Sequence, residues 1–143
     1  MSCKNTISLA DEIIEHIQAT RIGKKRTRYT IYGFSEDKTT IVLKKVGASD
    51  ATIDDFIDDL PEDDVCYASY SYRFDVEDGT KRGRTCFITW VPDKVDKKLK
   101  FLAACSKSEL RKQLGGGLVD FLFSSKDEII EEELYDKCIK TIH

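Results

Sequence analysis

Residues 65–90 constrain the fold most strongly, because they have the pattern of two paired β-strands. The alternation from Val65 to Phe74 predicts a long strand with two distinct faces. One face would contain Cys66, Ala68, Tyr70, Tyr72 and Phe74, and the other Tyr67, Ser69, Ser71 and Arg73. Asp78-Gly79 is typical of a tight hairpin turn, and a return strand is predicted from about Lys81 to Trp90. The chain is therefore expected to contain a long antiparallel hairpin.

The remaining segments alternate between the periodicities of helices and strands. The resulting order is helix, two strands, helix, two strands, helix, strand, helix. This order predicts an α/β fold in which a mixed sheet of five or six strands is covered by helices on both faces. The predicted strands outside the hairpin are Tyr29–Phe34, Thr39–Val46 and Leu118–Phe123. The predicted helices run from an N-cap at Ser8 to about Thr20, from Thr52 to Leu60, from Pro92-Asp93 to a stop at Gly115-Gly116-Gly117, and from Asp127 to about Ile142.

The length of 143 residues fits one domain with a single hydrophobic core. No repeat or linker divides it, so we expect one domain over residues 1–143 with a short flexible tail over residues 1–7. No run approaches the length of a membrane-spanning helix, and no apolar signal core follows Met1. Five scattered cysteines without a C-x-x-C pair indicate reduced thiols. These features predict a cytoplasmic protein.

No motif in the chain predicts catalysis or a metal site. Gly115-Gly116-Gly117 lacks the strand, helix and lysine context of a phosphate loop. The carboxylates between Asp54 and Asp63 lack the spacing and the glycine of a calcium loop. The scattered cysteines and two histidines do not form a zinc pattern, and His16 has no neighbouring motif for nucleophilic catalysis. We expect no enzymatic activity, no cofactor and no bound metal.

A basic block within the long helix is the main candidate for a binding site. The chain has a net charge of −3, which argues against general nucleic-acid binding and makes this block a local exception. Successive helical residues are about 100° apart, so the leucines share a core side while Phe101 falls among the lysines as a candidate interface anchor. The charge pattern alone leaves a purely solvated helix face as the alternative. The predicted core side contains Val95, Leu99, Leu102, Ala103, Leu110 and Leu114, the opposite side contains Lys97, Lys100, Lys107 and Arg111, and Lys94 and Lys98 lie on a flank.

The same block resembles the actin-depolymerising factor/cofilin family. Trp90-Val-Pro-Asp93, the Lys98-x-Lys100 pair and Cys105-Ser-Lys-Ser108 match the family pattern without a gap. Phe101 replaces a methionine of that pattern, and Ala103 replaces a tyrosine. Further similar segments occur in the family's order, so the resemblance covers nearly the whole chain. These segments are Leu9-Ala-Asp-Glu12, Leu60-Pro-Glu-Asp-Asp-Val-Cys-Tyr-Ala-Ser-Tyr70 and Lys81-Arg-Gly-Arg84.

The resemblance implies a non-enzymatic protein that binds actin monomers and filaments and promotes filament severing and depolymerisation. It also implies two surfaces. The first binds monomers and filaments and combines Lys98, Lys100 and Phe101 with Thr6 of the N-terminal tail. The second binds filaments only. The second surface contains Arg82, Arg84, Asp136, Lys137 and Lys140. The alternative is that the two arginines only make a hairpin more soluble and that the three C-terminal residues only complement the dipole of the last helix.

The residues leave regulation and several partners open. Ser2 and Thr6 lie near the position where many members of the family carry a phosphorylatable serine. The basic cluster Lys24, Lys25, Arg26 and Arg28 fits phosphoinositide binding, nuclear import or an ordinary basic loop. We expect a monomer at the actin cytoskeleton, with nuclear localisation open. The alternative functions are a glia-maturation-factor-like protein, which acts on branch junctions through actin-related proteins, and a phosphoinositide-binding adaptor.

Overall fold

The computed structural model describes residues 7–21, 27–75, 81–115 and 117–140. Within them the chain forms six strands and four helices, which confirms the predicted mixed α/β class. A short 3₁₀ turn at Lys126–Glu128 precedes the last helix. The strands are β1 (Ser8–Leu9), β2 (Thr27–Phe34), β3 (Thr40–Ala48), β4 (Cys66–Asp75), β5 (Lys81–Trp90) and β6 (Leu118–Phe123). The helices are α1 (Asp11–Arg21), α2 (Ile53–Asp59), α3 (Lys97–Leu114) and α4 (Glu131–Lys140).

These strands form one mixed sheet in the order β1-β3-β2-β4-β5-β6. β4 and β5 pair antiparallel along their full length, from Cys66 opposite Trp90 to Asp75 opposite Lys81, as the alternating sequence predicted. The two outer pairs, β1 with β3 and β5 with β6, are parallel. β6 follows α3 directly in the chain, so the parallel β5–β6 pair determines which residues lie beside the end of that helix.

Helices cover both faces of the sheet and enclose two apolar layers. α1 and α3 pack on one face, where Tyr67 of β4 and Phe87 of β5 are fully buried. α2 and α4 pack on the other face, where Tyr70 and Ile88 are buried. The predicted alternation of β4 is therefore confirmed, because Tyr67 and Tyr70 lie on opposite faces of the sheet.

Two hydrogen bonds position the segment that leads into α3. The Tyr67 hydroxyl donates to the carbonyl of Ala103 in the middle of α3. Burial raises the pKa of Tyr67 above its ordinary value, so this hydroxyl keeps its proton. The indole Nε1 of Trp90 donates to the carbonyl of Pro61 at 2.6 Å, which fixes the end of β5 against the end of α2. The chain therefore enters α3 from a fixed point.

The predicted start of the first helix at Ser8 is wrong. Ser8 belongs to β1, where its N–H donates to the carbonyl of Thr39 at 3.0 Å, and the N–H of Ala10 donates to Ile41 at 2.9 Å. These bonds add one short parallel strand to the sheet, and α1 begins at Asp11 after them. A two-residue strand has too few side chains to produce a recognisable alternation.

The last helix also begins later than predicted. The chain after β6 first forms the 3₁₀ turn, in which the Glu128 carboxylate accepts from the N–H groups of Ser124 and Ser125 at 2.6 and 2.9 Å. α4 then begins at Glu131 instead of Asp127. Acidic residues occupy both possible starts, so composition alone could not select between them. The predicted end near residue 142 lies outside the described residues.

The cysteines divide into two groups. Cys66, Cys86 and Cys138 are buried and are not in disulfides, as expected. Cys105 is disulfide-bonded, which corrects the expectation that all the thiols are reduced. Wide spacing along the sequence does not keep cysteines apart in the folded chain, so the spacing was a weak basis for that expectation.

Candidate functional site

The structure corrects the predicted start of the long helix. Pro92 does not begin it; its carbonyl accepts from the N–H of Val95 at 3.2 Å and closes a turn. Asp96 is the N-cap, and its carboxylate accepts from the N–H of Leu99 at 2.9 Å. Lys97 is therefore the first residue of α3. The Asp96 carboxylate can accept a hydrogen bond from a backbone N–H in the first turn, whereas the Pro92 side chain, which suggested the earlier start, has no acceptor.

Cations occupy the first turns of α3, where the electrostatics of a helix oppose them. The N-terminus of a helix carries about half a positive charge and favours acidic side chains, but the first turn of α3 contains none. Lys97, Lys98 and Lys100 are exposed there. Lys100 Nζ donates to the carbonyl of Asp93 at 3.1 Å, and within the described part of the chain none of these lysines forms a salt bridge. The helix dipole therefore gives these charges no stabilisation.

Phe101 lies among these lysines, and 39% of its surface is exposed. The opposite side of α3 fixes this orientation, because Ala103 and Leu110 are completely buried against the sheet. Rotating the helix to bury Phe101 would expose them. The outward orientation predicted from helical periodicity is therefore confirmed. Lys98, Lys100 and Phe101 form what we term the α3 surface.

Lys107 and Arg111 occupy a different environment from Lys100, although the helical periodicity placed them on the same side. Arg111 donates to the carboxylate of Asp120 in β6 at 2.7 Å, and Lys107 Nζ lies 4.0 Å from the same carboxylate. Lys107 Nζ also lies 5.8 Å from the centre of the Phe87 ring. Phe87 pairs with Asp120 in the β5–β6 register, and this pairing places the Asp120 carboxylate beside the end of α3. Within the described residues, the lysines at the start of α3 form no ion pair, whereas Lys107 and Arg111 near its end share the carboxylate of Asp120.

The second predicted set of residues lies on β5 and α4, and two of its cations have internal partners. Arg84 Nη1 donates to the carbonyl of Gly117 at 3.3 Å. Lys137 Nζ donates to the carbonyl of Asp120 at 3.0 Å and lies 4.8 Å from the centre of the Phe121 ring. These groups and two exposed residues of α4 form what we term the α4 surface: Arg84, Asp136, Lys137 and Lys140.

Two exposed apolar residues beside these charges were not predicted. Tyr135 and Ile139 of α4 are 40% and 42% exposed, and their i, i+4 spacing places them on one side of the helix. Each follows a buried residue, Leu134 or Cys138. The Tyr135 ring packs edge-on against Tyr72 at 5.9 Å between centres. The available signal was an apolar i, i+4 pair next to the core stripe, and it adds an apolar strip to the α4 surface.

Several residues that the sequence singled out cannot be placed. Residues 1–6, 22–26 and 76–80 lie outside the described residues, and with them Ser2, Thr6, Lys24, Lys25, Arg26 and the Asp78-Gly79 turn. The side chain of Arg82 also lies outside them, although its backbone pairs with Phe74 in the sheet.

Arg28 is the one described member of the basic cluster in residues 24–28. Its guanidinium donates to the carbonyls of Ser71 and Ser49, both at 3.3 Å. These bonds connect β2 to β4 and to the segment after β3. Arg28 therefore has a structural role in the sheet, independent of any ligand.

The described part of the chain contains no group of three or more His, Cys, Asp or Glu side chains that could hold a metal ion. A cavity of about 340 Å³ beside α2 is lined by Lys44, Asp59 and Cys66 among others. Burial raises the pKa of the Cys66 thiol, so it stays protonated and is a poor nucleophile. Among the described helices, none has both the length and the apolar character needed to cross a membrane.

Comparison with known proteins identifies close similarity over almost the whole chain. A family model described as cofilin/tropomyosin-type actin-binding protein matches residues 6–139. A cofilin from Cryptococcus neoformans var. neoformans serotype D is 37% identical over 130 residues, which cover 90% of this chain and 93% of that protein. Actophorin from Acanthamoeba castellanii is 30% identical over 136 residues, covering 95% and 97%.

A solved structure agrees with these sequence relatives. The crystal structure of a cofilin from Streptomyces griseoflavus matches this fold with a TM-score of 0.80 at 30% identity. The match covers 94% of this chain and 98% of that one. The family match includes all of α3 and all but the last residue of α4.

Proposed function

This chain belongs to the cofilin/tropomyosin-type actin-binding family, and we propose that it binds actin monomers and filaments, severs filaments and promotes their depolymerisation. A ligand shifts an equilibrium between two states only through its difference in affinity for them. Preferential binding to a twisted, ADP-bound filament would therefore stabilise that form and weaken contacts between subunits. The protein acts by binding, without chemistry of its own.

The α3 surface is the proposed contact for both monomers and filaments. The observation that carries this assignment is the row of lysines in the first turns of α3, which form no salt bridge among the described residues. An acidic partner surface would supply the negative charge that is absent from the first turn of α3. Phe101 adds an exposed aromatic ring between these charges, and aromatic rings are frequent anchors of interfaces. Thr6 in the tail is proposed to extend the same contact.

The α4 surface, with Arg82, is the proposed contact for filaments only. Asp136, Lys137 and Lys140 project from α4, while Arg84 lies on the neighbouring strand β5. Tyr135 and Ile139 place apolar area next to these charges. A second surface on the same molecule can contact a second subunit, which a monomer does not provide.

We also propose a monomeric, cytoplasmic protein located at the actin cytoskeleton. Phosphorylation of Ser2 or Thr6 would place negative charge on the tail that the first contact uses, and there it would compete with an acidic partner for the lysines. Lys24, Lys25 and Arg26 are proposed to bind phosphoinositide headgroups. These features concern regulation and do not alter the binding surfaces.

Reversal of charge at Lys98 and Lys100 tests the α3 surface. The double variant Lys98→Glu/Lys100→Glu should lower affinity for actin monomers and filaments by about 100-fold, because two attractive contacts become repulsive. The fold should not be weakened, since acidic residues near a helix N-terminus are favourable. Filament binding is measured by co-sedimentation, monomer binding by fluorescence titration, and severing by imaging single filaments.

The matched control reverses two charges elsewhere. In Lys44→Glu/Lys112→Glu, one change lies in the cavity beside α2 and the other near the end of α3, where Lys112 pairs with Glu109 at 3.4 Å. This control should bind and sever like the unaltered protein. Unchanged co-sedimentation of Lys98→Glu/Lys100→Glu would refute the α3 surface. If the unaltered protein decorated filaments without fragmenting them, the proposed severing activity would be refuted, but the α3 surface would not.

A further inference from the structure

Two cysteines from distant parts of the chain meet in the core beneath α4. Cys86 lies in β5 and Cys138 in α4, 52 positions apart, and both are completely buried. Their sulfur atoms are 3.3 Å apart. A disulfide requires about 2.05 Å, so the two sulfurs need to approach by only about 1.3 Å, which small side-chain rotations can provide.

The two thiols are chemically unequal. The hydrogen bond between the two thiols, together with burial, raises the pKa of Cys86. The same hydrogen bond lowers the pKa of Cys138; burial acts against this lowering, and the positive charges of Arg84 and Lys137 add to it. Cys138 is therefore the better nucleophile of the pair, and Cys86 is placed to attack it after oxidation.

We propose that Cys86 and Cys138 form an oxidisable dithiol site, which a peroxide converts into an intramolecular disulfide between β5 and α4. In the first step the thiolate of Cys138 attacks a peroxide oxygen, the O–O bond breaks, and hydroxide leaves and takes up a proton to become water. In the second step the sulfur of Cys86 attacks the sulfenic acid of Cys138, the S–O bond breaks, and a second water leaves. Overall, two thiols give two electrons and two protons to one hydrogen peroxide, yielding one disulfide and two waters.

Access to the buried pair is provided by opening of α4. This helix has ten residues and is the last described element, and of its residues only Leu134 and Cys138 are buried. A ten-residue helix with only two buried side chains separates locally from a sheet more readily than a deeply buried element does. Cys66 provides an internal comparison, since it is a buried thiol whose pKa is raised mainly by burial.

Mass spectrometry of the oxidised full-length protein tests the site. The native protein is treated with hydrogen peroxide, alkylated with N-ethylmaleimide and digested with trypsin without reduction. The expected product is peptide 85–94 disulfide-linked to peptide 138–140, with Cys66 still alkylated as a thiol. The new link closes a loop of 52 positions, so the midpoint of thermal unfolding should rise by about 10 °C.

Matched substitutions separate this link from other oxidation. Cys138→Ala and Cys86→Ala should each abolish both the linked peptides and the rise in the unfolding midpoint, whereas Cys66→Ala should keep both. Because the linked peptides are sought in the unaltered protein, the result does not depend on how the variants fold. The proposal is overturned if Cys86 and Cys138 remain alkylatable after peroxide treatment, or if their link appears only in protein denatured with urea before oxidation.

Discussion

The α3 surface and the α4 surface differ in how firmly the protein holds their cations. Within the described residues neither Lys98 nor Lys100 forms a salt bridge, and Lys100 Nζ donates to the backbone carbonyl of Asp93 at 3.1 Å. On the α4 surface, Arg84 donates to the carbonyl of Gly117, and Lys137 combines a carbonyl with an aromatic ring. On the α3 surface Lys100 is held by one carbonyl and Lys98 forms no salt bridge within the described residues, whereas on the α4 surface both Arg84 and Lys137 are held by contacts within the protein.

This difference determines how each surface can contribute to binding. A cation with an internal partner has to release that partner, or share it, before it contacts another protein, which reduces the net gain. A cation without one loses only its hydration. We therefore expect the α3 surface to dominate affinity and the α4 surface to add a smaller contribution that depends on the filament. The largest effect is the loss of about 100-fold already expected for Lys98→Glu/Lys100→Glu.

The second-largest effect is expected at Phe101. Phe101→Ala should lower affinity for both monomers and filaments by about tenfold, because a truncated aromatic anchor typically costs more than 1 kcal/mol of binding energy. Leu122→Ala is the matched control, since Leu122 is an exposed apolar residue of β6, with 67% of its surface accessible. Fluorescence titration with actin monomers measures both variants. Equal affinities for the two variants would remove Phe101 from the α3 surface.

A smaller and more selective effect is expected from Arg84 and Lys137. Arg84→Gln/Lys137→Gln should lower filament affinity by about fivefold and leave monomer affinity unchanged, because these charges are already partly satisfied inside the protein. Lys44→Gln/Lys112→Gln, which removes the same total charge elsewhere, should alter neither affinity. Parallel co-sedimentation and monomer titration provide the measurements. A loss of monomer affinity equal to the loss of filament affinity would show that the two surfaces are not distinct.

Local periodicity predicted the parts of the site that depend on one element alone. The outward position of Phe101 follows from the angle between successive helical residues once Ala103 and Leu110 are assigned to the core. The alternation of Tyr67 and Tyr70 likewise predicted the two faces of β4. In each case the information lies within a few residues of the position concerned, so no knowledge of distant pairing was needed.

Ion-pair partners that lie on another element of the fold could not be predicted from local periodicity. Helical periodicity grouped Lys107 and Arg111 with Lys100, but both share the carboxylate of Asp120 as an ion-pair partner because β6 lies beside the end of α3. The N-cap failed for a related reason. Pro92 had the local signature of a helix start, whereas the connection from β5 made Asp96 the cap. The sequence patterns therefore located the basic helix but did not reveal which of its charges are available.

The smallest expected effect is on the free energy of unfolding, which distinguishes charges that stabilise the fold from charges that do not. Asp120→Asn should lower the free energy of unfolding by about 0.5–1 kcal/mol, because it removes the ion pairs with Lys107 and Arg111. The loss is small because both pairs are partly exposed and solvent weakens them. Lys98→Gln/Lys100→Gln should leave it unchanged or raise it by about 0.3 kcal/mol, since cations near a helix N-terminus are unfavourable. Urea denaturation, with equal slopes in the two variants, measures both. Asp120→Asn should keep full affinity for actin, whereas Lys98→Gln/Lys100→Gln should lose it. If neutralising Lys98 and Lys100 destabilised the protein as much as Asp120→Asn, their charges would have a structural role, and the contrast between the two surfaces would fail.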